Sequence, residues 1–134
     1  MKRAWLSEAQ SPLARAAAEG LRALGWQVET GGDEAEADLR VFAAGSALPA
    51  IGQGEGGSVV LIAEAPDRLG LSELSLHVQK LAVAAAPQVR VNAVAVADGW
   101  AGNLADTIDW LAGAEMVTGQ LILLSEEPGP AIPF

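Results

Sequence analysis

The sequence predicts an α/β protein built around a mostly parallel sheet of about six strands. Short apolar segments alternate along the chain with segments of helical periodicity, the pattern of strand–helix–strand units. Residues 58–63 are apolar almost throughout, which is typical of a strand covered on both faces, so we expect a doubly wound arrangement. The length of 134 residues predicts a single domain, residues 1–134, with an irregular tail at 126–134 that holds three prolines.

The first half of the chain predicts three strands and one helix. An apolar strand at residues 2–6 is followed by a helix at 12–24. Ser11 precedes Pro12 at the start of this helix and Gly25 follows its end, so both boundaries carry residue types that helix termini favour. The other two strands are expected at residues 26–28 and 39–44.

The second half predicts three strands and two helices. A helix at residues 72–86 is ended by Pro87, and Asn103 can cap a third helix. The segment 46–57 is rich in glycine and is expected to be a loop. The strands are expected at residues 58–63, 89–96 and 120–124.

Composition and charge exclude several classes of protein. Hydrophobic residues make up 51% of the chain and cysteine is absent, which excludes a disordered protein, a disulfide framework and thiolate metal sites. Eight Lys and Arg residues stand against 17 Asp and Glu residues, so a basic surface for nucleic acid is not expected. No apolar run is long enough to span a membrane and no signal segment is recognisable, which predicts a cytoplasmic protein.

Two segments at candidate phosphate-binding positions are better interpreted as ordinary connections. The turn at residues 7–14, between the first strand and the first helix, has no glycine and contains Glu8 and Pro12. It therefore lacks the backbone donors and the close approach that a dinucleotide-binding turn needs. The glycine-rich segment 52–57 precedes a strand instead of a helix, so the context of a phosphate loop is missing.

The remaining titratable candidates lie on or next to the second helix. His77 is the only histidine, and with no cysteine beside it we predict a surface side chain and no metal site. Lys80 is likewise interpreted as a charge on the helix surface. Glu64 and Asp67 follow a strand end, where α/β active sites lie, but a capping role for the next helix is favoured.

Two segments in the second half of the chain resemble the short-chain dehydrogenase/reductase (SDR) family. Residues 85–95, AAPQVRVNAVA, are similar to that family's AP-x-(I/V)-RVNAV strand, and residues 110–122, WLAGAEMVTGQLI, are similar to its WL…TGQ passage. Weaker similarity extends over nearly all of the preceding chain. The resemblance implies a shortened Rossmann-like fold and descent from NAD(P)-dependent oxidoreductases.

The positions where the SDR family carries its chemistry are altered in this chain. On the resemblance, the family's Tyr-x-x-x-Lys pair falls on Leu76 and Lys80, so the lysine is kept and the tyrosine is lost. The catalytic serine falls near residues 63–64, and the asparagines of the NNAG motif fall on Phe42 and Ala43. Because leucine cannot exchange a proton with a substrate, the resemblance implies no intact catalytic residue, a vestigial Lys80 and no bound NAD(P).

The favoured interpretation is a non-catalytic, SDR-like subunit or scaffold that acts through oligomerisation. The resemblance implies dimers or tetramers formed through the helix at 72–86 and through the last helix and strand. The broad apolar surface of the helix at 72–86 also favours a partner. The partner is expected to be a second copy of the chain or a full-length SDR. Two alternatives stay open: an NAD(P)-dependent oxidoreductase with an altered site, and a module that binds a small or regulatory ligand. The candidate interface residues are Leu74, Leu76, Val78, Leu81 and Val83.

Overall fold

A computed structural model describes residues 2–7, 11–30, 37–43, 57–64, 67–86, 88–97 and 103–124. Six strands and three helices are defined within these ranges. The strands are β1 (Arg3–Leu6), β2 (Gln27–Thr30), β3 (Leu39–Ala43), β4 (Ser58–Glu64), β5 (Arg90–Val96) and β6 (Leu121–Leu124). The helices are α1 (Pro12–Ala23), α2 (Arg68–Ala85) and α3 (Leu104–Gly113).

The six strands form one sheet in the order β2-β1-β3-β4-β5-β6, and each neighbouring pair is parallel. The longest pairing joins β4 to β5, from Ser58 opposite Arg90 to Glu64 opposite Val96. These two central strands are buried at nearly every position, as strands covered on both faces must be. The predicted α/β class and parallel sheet are confirmed.

Helices cover both faces of the sheet, which confirms the doubly wound arrangement. On one face α1 and α3 pack against each other and against the sheet, with Leu21 and Ile108 fully buried between the layers. On the other face α2 is the one described helix, and it lies over Val59, Leu61 and Val91. Val59, Leu61 and Val91 are buried within the chain, so they need no partner to cover them.

The two helices that share a face approach closely at Gly20 of α1. A Cβ atom at this position would overlap the Cβ of Ala105 on α3. Glycine in a helix interior normally costs stability because its backbone loses more freedom on folding. Here the missing side chain lets the two helices meet, and the contact sets the spacing of α1 from α3.

The predicted boundary of α1 is confirmed, whereas that of α2 is wrong by one turn. The Oγ of Ser11 accepts a hydrogen bond from the backbone N–H of Ala14 at 3.1 Å. Helix α2 begins at Arg68 instead of residue 72, because Asp67 caps it: Oδ1 accepts from the N–H of Gly70 at 2.8 Å. An aspartate N-cap offsets the low helix propensity of a glycine in the first turn.

The predicted cap of α3 is also wrong. The side chain of Asn103 makes no capping hydrogen bond, and its backbone is already helical, at φ -96° and ψ -2°. Its carbonyl oxygen instead accepts from the Oγ1 of Thr107 at 2.9 Å. The predicted loop at 46–57, except Gly57, and the tail at 126–134 lie outside the described residues. Within the described part of the chain, no helix combines the length and apolar character needed to cross a membrane.

Candidate functional site

The carboxyl ends of the parallel strands define the edge where a ligand is expected. In open α/β sheets, ligands bind outside the carboxyl ends of the strands, and the N-termini of the helices point there. We call this the carboxyl edge. It contains the residues that end or follow β1, β3, β4 and β5, together with the starts of α1, α2 and α3.

The described residues at the two ends of the first strand–helix connection use several of their polar groups within the chain. Ser7 makes two hydrogen bonds to β3. Its N–H donates to the carbonyl of Val41 at 2.9 Å, and its Oγ accepts from the N–H of Ala43 at 3.4 Å. At the start of α1, Ser11 occupies the N–H of Ala14, and Pro12 has no N–H. Residues 8–10, with Glu8, lie outside the described residues, so the interpretation of this turn stays a prediction.

The end of β3 carries no polar side chain toward a ligand. Phe42, at one of the positions of the family's asparagines, is buried and lies against the ring of Trp5, with ring centroids 5.5 Å apart and planes inclined by 60°. Phe42 belongs to the core beneath α2. An aromatic pair of this kind stabilises the sheet face, but neither Phe42 nor Ala43 can bond a cofactor through its side chain.

The end of β4 carries a carboxylate but no hydroxyl group. Ala63 and the exposed Glu64 stand where the resemblance places the catalytic serine, so no hydroxyl is present there. Asp67 is committed to capping α2, which confirms the capping interpretation of this residue. In the described ranges, no three His, Asp or Glu side chains are grouped so as to hold a metal ion.

Lys80 lies in the C-terminal half of α2, and its interpretation as a vestigial cofactor lysine stays a prediction. It lies twelve residues beyond Arg68, the first residue of α2, which is about 18 Å along the helix axis at about 1.5 Å per residue. Only five residues follow it, ending with Ala85, the last residue of the helix. Lys80 therefore lies toward the amino end of the strands, away from the carboxyl edge. His77 is exposed on the same helix, as predicted.

The motif residues that carry the family resemblance hold the fold together. Asn92 of β5 is completely buried: its Nδ2 donates to the carbonyl of Val117 at 3.0 Å, and its Oδ1 accepts from the N–H of Gln120 at 3.1 Å. The Oγ1 of Thr118 accepts from the N–H of Val91 at 3.0 Å. The RVNAV and TGQ segments therefore bind each other and fix β6 beside β5. These contacts have a structural role.

The candidate interface residues separate into three groups. Val78 is fully buried against the sheet, so it cannot reach a partner and its assignment to an interface is wrong. Leu74 and Leu81 are half-buried beside the same core. Leu76 and Val83 are exposed, as an interface requires. Leu69, which is also exposed, was missed because the predicted helix started three residues after it.

The fold and these contacts define a Rossmann-type α/β protein with a parallel sheet and helices on both faces. A family model described as "SDR-like: Short chain dehydrogenase-like protein" matches residues 26–124. The chain therefore belongs to the SDR-like family, and the resemblance stated from the sequence is confirmed. No curated protein matches the chain.

Among solved structures, the chain is similar to FolM alternative dihydrofolate reductase 1 from Brucella canis, solved as a complex with NADP. The TM-score is 0.61, the sequence identity is 15%, and the match covers 96% of this chain and 96% of that chain. At this identity the similarity concerns the fold. The chain thus shares its architecture with a reductase. At its carboxyl edge, Phe42 and Ala43 stand at the positions of the SDR asparagines, and Ala63 and Glu64 stand at the position of the SDR serine.

Proposed function

We propose that this chain is a non-catalytic member of the SDR-like family that works as a cytoplasmic homodimeric subunit without bound NAD(P). One observation carries the proposal: three large apolar side chains on α2 point to solvent. Leu69, Leu76 and Val83 are 68%, 54% and 79% exposed. We call them the outer stripe. Large exposed apolar side chains that are grouped on one surface usually mark a binding site for another molecule.

The spacing of the outer stripe makes it one continuous surface. Its members lie seven residues apart, close to two helical turns, so they share one side of α2 over a length of about 21 Å. The opposite side of α2 already packs on the sheet through its own set of buried residues. The outer stripe therefore lies outside the hydrophobic core of the described residues. The buried set is Leu71, Ser75, Val78, Ala82 and Ala85.

Charge beside the outer stripe favours a second copy in antiparallel orientation. Glu73 and Lys80 also lie seven residues apart, on the same flank of the stripe. A two-fold axis at Leu76 would place Leu76 against its own copy and Leu69 against Val83. The same axis would bring Glu73 of each chain beside Lys80 of the other. Two-fold homodimers are the commonest protein assemblies, and their contacts are reciprocal in this way.

Light scattering or sedimentation will test the homodimer. We expect wild-type protein to be dimeric at about 100 μM, well above the nanomolar to micromolar range in which specific complexes form. Leu76→Glu should give a folded monomer, because two carboxylates would meet at the two-fold axis without partners. His77→Glu is the matched control, since the exposed His77 lies about 100° around the helix from Leu76. A monomeric wild-type protein at this concentration would contradict the proposal.

Charge reversal tests the antiparallel register separately from the apolar contact. Glu73→Lys and Lys80→Glu should each weaken the dimer, because each places like charges opposite one another. The double variant should regain wild-type affinity, since the two signs are exchanged and attraction returns. If the double variant dimerises no better than the singles, this register is wrong.

The competing candidate is an NAD(P)-dependent oxidoreductase with an altered site. The SDR-like family match and the NADP complex of the similar structure favour it. Against it stand the capped start of α1, the buried Phe42 and the alanine at position 63. The two candidates differ in whether the chain binds a nicotinamide dinucleotide, which calorimetric titration measures directly.

A further inference from the structure

A groove of about 420 Å³ lies at the edge of the sheet opposite to the carboxyl edge. Lys2 and Trp26 stand immediately before β1 and β2, and the C-terminal half of α3 forms the opposite wall. The volume falls in the range of small-molecule sites. Since α2 covers the other face of the sheet, the groove is separate from the proposed dimer surface. Its described lining residues are Lys2, Trp26, Asp109, Trp110, Ala112, Gly113 and Ala114.

A hydrogen bond across 83 positions of the sequence fixes two of the walls. The indole Nε1–H of Trp26 donates to Oδ1 of Asp109 at 2.8 Å. Trp26 is buried in the core beneath α1 and α3, so the ring is held rigidly and the carboxylate is held with it. Trp110, the next residue of α3, is 58% exposed at the same groove. A buried indole, an exposed indole and an oriented carboxylate therefore surround one space.

A cation already occupies part of this space. The Nζ of Lys2 lies 5.1 Å from the ring centroid of Trp26 and 3.5 Å from Oδ1 of Asp109. Its side chain is 62% exposed. Contacts of both kinds are weak at exposed positions, so Lys2 is easily displaced. The face of an indole ring attracts cations, and the net charge of -9 on the chain adds to that attraction.

We propose that this groove binds a small organic cation of the alkylammonium class, which replaces the ammonium group of Lys2 against Trp26 and Asp109. The ring of Trp110 covers the alkyl groups of the ligand. Quaternary ammonium groups suit such a site, because they are weakly hydrated and are recognised by aromatic walls together with a carboxylate. Lys2 competes with the ligand for the same carboxylate and the same ring face.

The test compares choline with its neutral isostere 3,3-dimethyl-1-butanol, in which carbon replaces the ammonium nitrogen. Each is titrated into ¹⁵N-labelled protein at constant ionic strength, and the indole N–H signals of Trp26 and Trp110 are followed. We expect a saturable shift with choline, with a dissociation constant on the order of 1 mM, the scale of weak specific ligands. The isostere should bind at least roughly tenfold more weakly if ring faces and carboxylate select the charge. Equal shifts from both compounds, or no saturable shift from choline, would overturn the proposal.

Surface variants connect the binding to the named groups. Trp110→Ala should reduce choline affinity by roughly tenfold, and Asp109→Asn should reduce it while keeping an acceptor for Trp26. Lys2→Gln should raise affinity, because the competing cation is removed. Arg15→Gln removes one positive charge near the opposite edge and is the matched control, with unchanged affinity expected. If Lys2→Gln and Arg15→Gln have the same effect, competition by Lys2 is excluded and the proposal fails.

Discussion

Replacing Asn92 by leucine is expected to lower the free energy of unfolding by about 2–4 kcal/mol, although the two side chains are similar in size. The substitution leaves the carbonyl of Val117 and the N–H of Gln120 without their partner in a partly buried position. A donor or acceptor that is buried without a hydrogen bond costs much more than the net gain from forming one. Urea denaturation followed by circular dichroism measures the change.

Ser58→Ala is the matched control for Asn92→Leu. Ser58 is equally buried at the start of β4, but its Oγ has no hydrogen-bond partner among the described residues. Removing this hydroxyl should leave stability unchanged or raise it slightly, because no partner is abandoned. Similar effects of the two substitutions would show that the Asn92 bridge does not hold β6 in place.

Gly20→Ala is expected to lower the free energy of unfolding by about 1–3 kcal/mol, the usual cost of an added group in a packed core. In a solvent-exposed helix the same change would stabilise the protein by about 1 kcal/mol. The sign is reversed here because the new Cβ would overlap the Cβ of Ala105 and force α1 away from α3. Thermal and urea unfolding measure the change.

A second substitution can restore the space that Gly20→Ala removes. Ala105→Gly takes away the atom that the new Cβ meets, so the double variant should recover part of the lost stability. Gly113→Ala serves as the control, because a Cβ at this last position of α3 meets nothing within 4 Å. If Gly20→Ala is as harmless as Gly113→Ala, the helices are not held at this distance by Gly20.

Most of the fold could be predicted because its signals are local. The apolar run of β4 and the Ser11-Pro12 start of α1 identify their elements without tertiary information. The start of α2 was placed four residues too late, although a capping role of Asp67 was predicted and is confirmed. Asn103 has the residue type of a cap but does not use it, because its backbone is already helical.

The candidate sites were harder to predict because they depend on distance in space. The motif alignment made Lys80 a relic of catalysis, but only the direction of α2 shows that it lies far from the carboxyl edge. The groove beside Trp26 and Asp109 left no local signal in the sequence, since these two residues are separated by most of the chain. Trp26 was interpreted from sequence as the first residue of a strand, whereas it lies one residue before β2.

Calorimetric titration with NADPH and NADH tests the central claim, that this chain keeps the family's fold without its cofactor site. Pro12 lacks a backbone donor, Ser11 occupies another, and Phe42 replaces a polar residue. Each lost hydrogen bond to a charged group is worth roughly 1.5–3 kcal/mol. We expect no saturable heat from either dinucleotide. A dissociation constant below about 100 μM, between the micromolar and millimolar scales, would contradict the account and favour an active oxidoreductase.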